Sequence, residues 1–332
     1  MSSRIVIDEV SVYHPEKVVN NQYYIEYFQK RGQDISRLLN ALGRDNRYVA
    51  DYERETTLTM AIEASKRVLK KSKLNGKDLD MMTFVSGTPE YFWPPNAVAV
   101  HHAVQGKADA IVYDMNVACV GMVVAVDQVS RNMLSNRFVK RALVVGSEQM
   151  HRYARKEEAV TYASFGDGAC AMILEKTIDR DAGFIDSTYH VNTESVDKIV
   201  LPACGVSRMY ENNVSDFEKR IHWQNVNNDN GFLFTVEMIE KLLERNHLTI
   251  QDVAAYCFSQ LSRKNIFRVQ EALNEDISKF PIVGTEYGYT GAASPFMALE
   301  RAVAEGTVKR GDYVVFWSIG AGTSACALLC KY

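Results

Sequence analysis

The stretch VYDMNVACVGMVVAVDQVS, residues 112–130, decides how this chain is read. A strand-like run leads to Cys119, and an almost unbroken apolar segment follows, with Gly121 close behind the thiol. The apolar segment reads as a helix beginning near Cys119. A helix apolar all round is buried, so the thiol is expected at the bottom of a pocket or tunnel. Unpaired backbone N–H groups at a helix head favour a thiolate and can stabilise an oxyanion. Gly121 allows a ligand or a neighbouring element to approach closely. Two readings of Cys119 stand at this point: a nucleophile of lowered pKa, or an ordinary buried cysteine, as most are.

Outward from that stretch, strand-like and helix-like runs alternate. TLTMAIEASKRVLKKSKL (57–74) has helical apolar spacing, and LDMMTFVSG (79–87) reads as a buried strand. NAVAVHHAVQ reads as a helix and RALVVGSE (141–148) as a strand. This alternation predicts an α/β architecture with mixed sheets. The chain also repeats itself. KLNGKDLDMMTFVS (73–86) matches HLTIQDVAAYCFSQ (247–260), with Leu74, Asp78 and Phe84 corresponding to Leu248, Asp252 and Phe258 at one constant offset. SFGDGACAMILEK (164–176) matches SIGAGTSACALLCKY (318–332) in the same order. The repeats predict two similar halves, 1–175 and 176–332, with the Asn- and Asp-rich segment 177–230 as an irregular insertion or cap.

Composition narrows the function classes. The 332 residues are 47% hydrophobic and 24% charged, with a net charge of −3. No long Lys/Arg run suggests nucleic acid; the densest, KRVLKKSK (66–73), reads as one solvated helix face. No apolar run has membrane-span length. MSSRIVIDEVSVY reads as a first strand rather than a signal peptide, with charges at Arg4, Asp8 and Glu9. The six cysteines form no CxxC pair or Cys/His cluster, so no metal or bound cofactor is indicated and a reduced, cytoplasmic protein is the simplest expectation.

The motifs carry a resemblance. YDMNVACVGM is similar to the nucleophile segment of β-ketoacyl-ACP synthase III, within the thiolase-fold condensing enzymes. GRDNRYVA (43–50) with ETTLTMAIEA (55–64), SFGDGACAMIL (164–174), GYTGAASPFMAL (288–299) and GDYVVFWSIGAGTSACALL (311–329) resemble further motifs of that family, nearly end to end. The resemblance implies a thiolase-like duplicated fold, two similar α/β halves in layered α-β-α-β-α packing. It also implies a Cys-His-Asn triad acting on acyl-CoA and malonyl-ACP, and a homodimer, with a heterodimer left open.

The pattern breaks at two triad positions. In AAYCFSQLSRKNI, Ser259 occupies the His position, next to Gln260; in YGYTGAAS, Tyr289 occupies the Asn position. A serine cannot carry imidazolium charge, and a phenol is bulkier than an amide. Losing oxyanion donors typically slows a reaction by about 10²–10³ each, so decarboxylative condensation by the usual route is not expected, while acylation of Cys119 needs no histidine. Tyr289 is the favoured substitute donor, ahead of Glu286 and Tyr287. His151 reads as a surface-loop histidine, His101 and His102 as helix residues, and Glu90 as a solvated loop acid.

The resemblance further implies a backbone oxyanion donor at Ala321, between Gly320 and Gly322. It puts Arg47 and Trp93 at mouth or dimer-contact loops. Arg263, Lys264 and Arg268 form a basic patch that reads either as a docking face for an acidic acyl carrier protein or as a solvated helix face. Three functions compete: an enzyme that forms acyl-Cys119 and transfers or condenses the acyl group, a degenerate subunit that partners a competent homologue, and a plain fatty-acid-initiating synthase, which fits the overall resemblance but conflicts with Ser259 and Tyr289.

Overall fold

The computed structural model describes residues 3–178, 181–224 and 233–332. Strands β1 (Arg4–Tyr13), β2 (Met81–Val85), β3 (Ile111–Met115), β4 (Arg141–Gln149) and β5 (Asp167–Thr177) form a sheet of order β1-β5-β4-β2-β3. Strands β6 (Gly183–Val191), β7 (Val253–Phe258), β8 (Tyr313–Gly320) and β9 (Ser324–Lys331) form a second sheet of order β7-β8-β9-β6.

The two sheets share one wiring. β2 runs parallel to β4, β5 antiparallel to β4, and β1 antiparallel to β5. In the second sheet β7 runs parallel to β8, β9 antiparallel to β8, and β6 antiparallel to β9. The first sheet adds β3, parallel to β2 at its edge. The repeated aspartates have a local reason. Asp78 accepts from the Asn75 amide at 2.9 Å and Asp252 from the Thr249 amide at 2.7 Å, each closing a capping box on a 3₁₀ turn that feeds β2 or β7.

Helices complete the layers. α1 (Thr57–Ser72) and α2 (Asn96–Ala103) cover the outer face of the first sheet. α3 (Gly121–Ser135) lies between the sheets, together with the later α6 (Ser294–Ala304). α4 (Leu233–Arg245) and α5 (Arg263–Leu273) cover the second sheet. The result is the duplicated five-layer arrangement that the resemblance implies. α1 shows how one sequence face makes a layer: Met60, Ala61, Ala64, Val68 and Leu69 are buried, while Lys66 and Lys70 face solvent. The larger of these side chains, Met60, Val68 and Leu69, each contribute roughly 1.5–3 kcal/mol. The apolar run after Cys119 becomes the central helix, with Met122, Val123, Val126, Val129 and Met133 enclosed. Its one buried acid, Asp127, is held by Arg131 at 2.8 Å, Ser187 at 2.7 Å and Tyr189 at 2.6 Å.

Those last partners correct the reading of 177–230 as irregular throughout. Residues 183–191 are the edge strand β6, whose polar side chains disguise it because Ser187 and Tyr189 serve a buried carboxylate. Beyond it, loop predominates, with one short strand pair of Ile199–Val200 and His222–Trp223; residues 225–230 of the segment lie outside those described. Among the described residues, no helix is long and apolar enough to cross a membrane.

Candidate active site

Cys119 stands on an elbow between β3 and α3. Asn116 Oδ1 accepts the Ala118 amide at 3.0 Å, and Ala118 is held at φ +47°, in the left-handed region. Such backbone strain in a non-glycine residue marks a constrained turn. Ser318 Oγ, on β8, donates to the Cys119 carbonyl at 2.7 Å. A Cβ at Gly320 would come within 3.0 Å of the Val117 carbonyl. The glycine is needed because the two loops touch. Gly121 serves the same purpose: a Cβ there would lie 2.6 Å from Val85, so a neighbouring strand takes the space it leaves.

The segment 288–291 approaches from the other half. The Tyr289 amide donates to the Ser164 carbonyl and the Gly166 amide to the Tyr289 carbonyl, both at 3.0 Å. Tyr289 is fully buried, and its hydroxyl and the Cys119 thiol each shift the other's titration. Ser259, at the end of β7, is buried as well, and its hydroxyl donates to the Tyr289 oxygen at 3.4 Å. Cys119, Tyr289 and Ser259 therefore form one row. Ala321 lies half-buried in the β8–β9 turn, one residue beyond the glycine that touches the elbow.

The electrostatics overturn one expectation. Burial pushes the Cys119 thiol up to about 12; the Tyr289 hydrogen bond opposes that rise and Glu148 adds to it. A thiol lowered by the helix terminus is not observed. α3 begins at Gly121 with Val120 as its cap, so Cys119 precedes the first turn. A helix terminus is worth about 0.3–1 kcal/mol, and desolvation outweighs it here. The phenol of Tyr289 is also raised well above its ordinary value, by burial first and then by Cys119.

Several proposed ligand contacts prove to be internal stitching. Gln260 is buried and has all its polar atoms engaged: Nε2 donates to the Phe258 and Pro281 carbonyls, and Oε1 accepts the Val283 and Gly284 amides, both at 3.0 Å. Arg47 lines no mouth; it is completely buried, donating to the Ala163 carbonyl and to Asn21, with its guanidinium over the Tyr24 ring. Arg263 is half-buried, donates to the Asn40 carbonyl at 3.3 Å and lies over Phe267. Trp93 is on an exposed loop, 84% accessible, and neighbouring Glu90 is exposed too.

His151 is no surface histidine. Its Nε2 meets the Tyr24 hydroxyl at 3.0 Å and its Nδ1 the Tyr52 hydroxyl at 2.8 Å, and burial holds it down at about 3. Its neighbours come from segments far away in sequence, so no local signal marked it. His101 bonds the Lys107 carbonyl at 2.8 Å, and His102 is exposed. Glu286 pairs with Arg301 at 2.6 Å, and the Tyr287 ring packs on His14 and Tyr48.

Sequence reasoning missed Glu148 and Arg44. Glu148 is the penultimate residue of β4 and is buried; it accepts from the Gly87 amide at 2.9 Å and from the hydroxyls of Thr88 at 2.7 Å and Ser86 at 3.3 Å. Burial raises its carboxyl to about 7, and its charge acts on both Cys119 and Tyr289. The available signal was a lone acid closing the apolar run RALVVGSE. Arg44, buried behind the Tyr289 segment, had no such signal.

Residues 113–193 match the family model 3-oxoacyl-[acyl-carrier-protein (ACP)] synthase III, and residues 243–332 match the model of its C-terminal part. The chain is 28% identical over 332 residues to a β-ketoacyl-[acyl-carrier-protein] synthase III of Solibacter usitatus, covering 98% of each. It is 26% identical over 324 residues to that of Levilactobacillus brevis, covering 96% of each. The fold matches 3-oxoacyl-[acyl-carrier-protein] synthase III from Aquifex aeolicus with a TM-score of 0.85, at 24% identity and full coverage of both chains. It also matches Xanthomonas campestris OleA with bound lauric acid and lauroyl-CoA, with a TM-score of 0.82, at 15% identity and 99% coverage of each. With the nucleophile segment and the closing Gly-rich turn inside the two matched regions, the chain belongs to the 3-oxoacyl-[acyl-carrier-protein] synthase III family of thiolase-fold acyl condensing enzymes.

Proposed function

We propose that this chain forms an acyl thioester on Cys119, from acyl-CoA or acyl-ACP, and passes the acyl group on by transfer or condensation. The Cys119 sulfur attacks the donor's carbonyl carbon, and the bond from that carbon to the carrier sulfur breaks. The carrier thiolate takes up the proton that Cys119 gives up, so the step needs no other reactant. The observation that carries this reading is the Cys119–Tyr289–Ser259 row: a thiol on a constrained elbow, a buried phenol that acts on it, and a serine hydroxyl donating to that phenol. In this reading the Cys119 and Ala321 amides receive the oxyanion, which needs only backbone. Tyr289, with Ser259 behind it, serves where the resemblance implies Asn and His, and decarboxylation by that pair is absent.

The two halves, 1–175 and 176–332, divide the work in this reading: the first supplies the nucleophile, the second Ser259, Tyr289 and Ala321. The relatives' printed names support an acyl carrier protein as partner, and OleA's lauroyl-CoA supports a coenzyme A thioester as donor. The patch at Arg263, Lys264 and Arg268 is the docking face we assign to the carrier. A homodimer joined along edge strand β3 is supported by the exposed Tyr91, Phe92 and Trp93 loop beside it. The six unpaired cysteines support a reducing cytoplasm.

The second reading, a degenerate subunit beside a competent homologue, is favoured by one observation, the thiol raised to about 12. Intact-protein mass spectrometry after incubation with a panel of acyl-CoAs separates the two. A mass gain equal to the acyl group, absent in Cys119→Ala, supports the enzyme, and a chase with malonyl-ACP, amines or alcohols then separates condensation from transfer. No adduct from any acyl-CoA or acyl-ACP donor overturns it in favour of the subunit.

A further inference from the structure

A buried hydroxyl interrupts an apolar row behind the nucleophile. On β8 the side chains of Val314, Phe316 and Ser318 share one face, because strand side chains alternate. Val314 and Phe316 belong to the core between the sheets. Ser318 is fully buried, at the position where an apolar side chain would continue that row. Its partner accounts for the exception: Oγ donates to the Cys119 carbonyl at 2.7 Å. A hydroxyl removed from water holds such a bond without competition. The bond crosses between the halves of the fold, from the strand that leads to Ala321 to the elbow that carries the thiol.

The end of β8 meets the site at almost every residue. The Trp317 carbonyl accepts the Ser259 amide at 2.8 Å, and Ser318 holds Cys119. Gly320 touches the elbow: the Cβ it lacks would lie 3.0 Å from the Val117 carbonyl and 3.2 Å from Val120. Ala321 follows at once in the turn, where β8 and β9 pair as far as Gly320 and Ser324. The glycine contact sets only how near the two segments come. The Ser318 bond has direction, and it fixes the Cys119 carbonyl at one register against the strand. Two amides from separate halves can share one oxygen only if each lies about 2.7–3.1 Å from it. A slip of about 1 Å between elbow and strand breaks that pairing.

We infer that Ser318 is a positioning residue: by holding the Cys119 carbonyl it keeps the Cys119 and Ala321 amides at the spacing that receives one oxyanion, without touching the substrate. The inference rests on the reading of the acyl-transfer site proposed above, and its test uses a reaction that needs neither coenzyme A nor a carrier protein.

An aldehyde adds to a thiol across its C=O bond: sulfur bonds the carbonyl carbon, and the thiol proton passes to the oxygen, which then lies against the two amides. Butanal, octanal and dodecanal are the probes, with the corresponding alcohols as the baseline. Adduct affinity is read as protection of Cys119 from iodoacetamide, mapped by mass spectrometry. Alkylation itself builds no oxyanion, so its rate without aldehyde reports the thiol alone. In Ser318→Ala, aldehyde affinity is expected to fall about tenfold or more while that rate stays within about twofold of wild type. Ser318→Thr keeps the hydroxyl and should stay within about threefold of wild type in both readouts. Unchanged affinity in Ser318→Ala, or a Thr variant as weak as the Ala variant, would overturn the inference. Affinity and alkylation falling together would also overturn it, leaving Ser318 a scaffold of the elbow only. A wild type that is alkylated at Cys119 but takes up no aldehyde overturns it too, since no oxyanion site is then formed. If Ser318→Ala does not fold, Ser318→Cys decides, because a thiol is a weaker donor. It should lose aldehyde affinity by about threefold or more with alkylation unchanged, and equal affinity overturns the inference. Aldehyde adducts on a protein that no acyl-CoA or acyl-ACP acylates would separate the two claims: the acyl-transfer reading fails and the role of Ser318 stands.

Discussion

Ser259 donates its hydroxyl to the Tyr289 oxygen across 3.4 Å, and the same phenol opposes the rise that burial gives the Cys119 thiol. The nucleophile candidate thus answers to one phenol, and through it to a serine on the opposite half of the fold. That linkage makes the reactivity of the thiol sensitive to groups that never touch it.

Tyr289→Phe keeps the ring and removes the link. The Tyr289 hydroxyl is what holds the Cys119 thiol below the value burial alone would set. A hydrogen bond is worth about 1 kcal/mol, roughly a factor of five in the thiolate fraction. Alkylation of Cys119 by iodoacetamide at pH 8, followed by mass spectrometry, should slow about fivefold. An unchanged rate would show that the phenol has no hold on the sulfur.

Glu148 predicts a pH dependence. Its carboxyl is raised by burial to about 7 from an ordinary 4.5, so between those values the folded chain holds a proton that the unfolded chain has released. The stability this provides is complete below pH 4.5 and is lost as pH rises through 7. The full swing is about 3 kcal/mol. Glu148→Gln lacks this titration, so its melting temperature should gain on wild type from pH 5 to pH 8. Asp167, also raised to about 7, is common to both proteins and cancels. Parallel melting curves across that range would place the Glu148 carboxyl in water. Above pH 7 the same variant should alkylate faster at Cys119, because the anion that opposes the thiolate is gone.

Gln260→Ala is expected to damage the fold before any chemistry. It strips the buried Val283 and Gly284 amides of their acceptor and leaves the loop before Tyr289 unanchored. Two unsatisfied buried N–H groups cost about 2–4 kcal/mol. Urea denaturation should show a loss of that size; a loss under 1 kcal/mol would mean that water or a neighbour replaces the amide.

The paired change Ser259→His with Tyr289→Asn tests whether these two positions limit the reaction. If they do, acyl-Cys119 formation should continue and malonyl-ACP condensation should rise at least tenfold over wild type, measured by product mass spectrometry. Replacing the buried phenol by an amide opens a cavity that costs about 3–5 kcal/mol, partly refilled by the imidazole. A folded double variant with no gain in condensation would show that something other than the missing donors governs the acceptor step.

Much of the architecture was legible because its causes are local. Asp78 and Asp252 recur because the same capped turn precedes the same strand in each half. The apolar run after Cys119 predicts a helix enclosed on all sides, and the helix that forms is buried along one face while Gln128, Arg131 and Leu134 reach solvent; the close approach expected at Gly121 is observed. Strand β6 was hidden because its polar residues answer Asp127, on a helix distant in sequence.

What the chain determined by itself is the order and type of its elements, the duplication and the elbow that carries Cys119, since hydrophobic period, capping and glycine placement act within a few residues. Only the tertiary structure decided the state of the site. Whether Cys119 is raised or lowered depends on the water removed by every segment packed around it. Whether Gln260 and Arg47 meet ligand or backbone depends on which distant carbonyls and amides fold against them. Desolvation and hydrogen-bond partnership are sums over neighbours in space, and neighbours in space are what a linear sequence does not order.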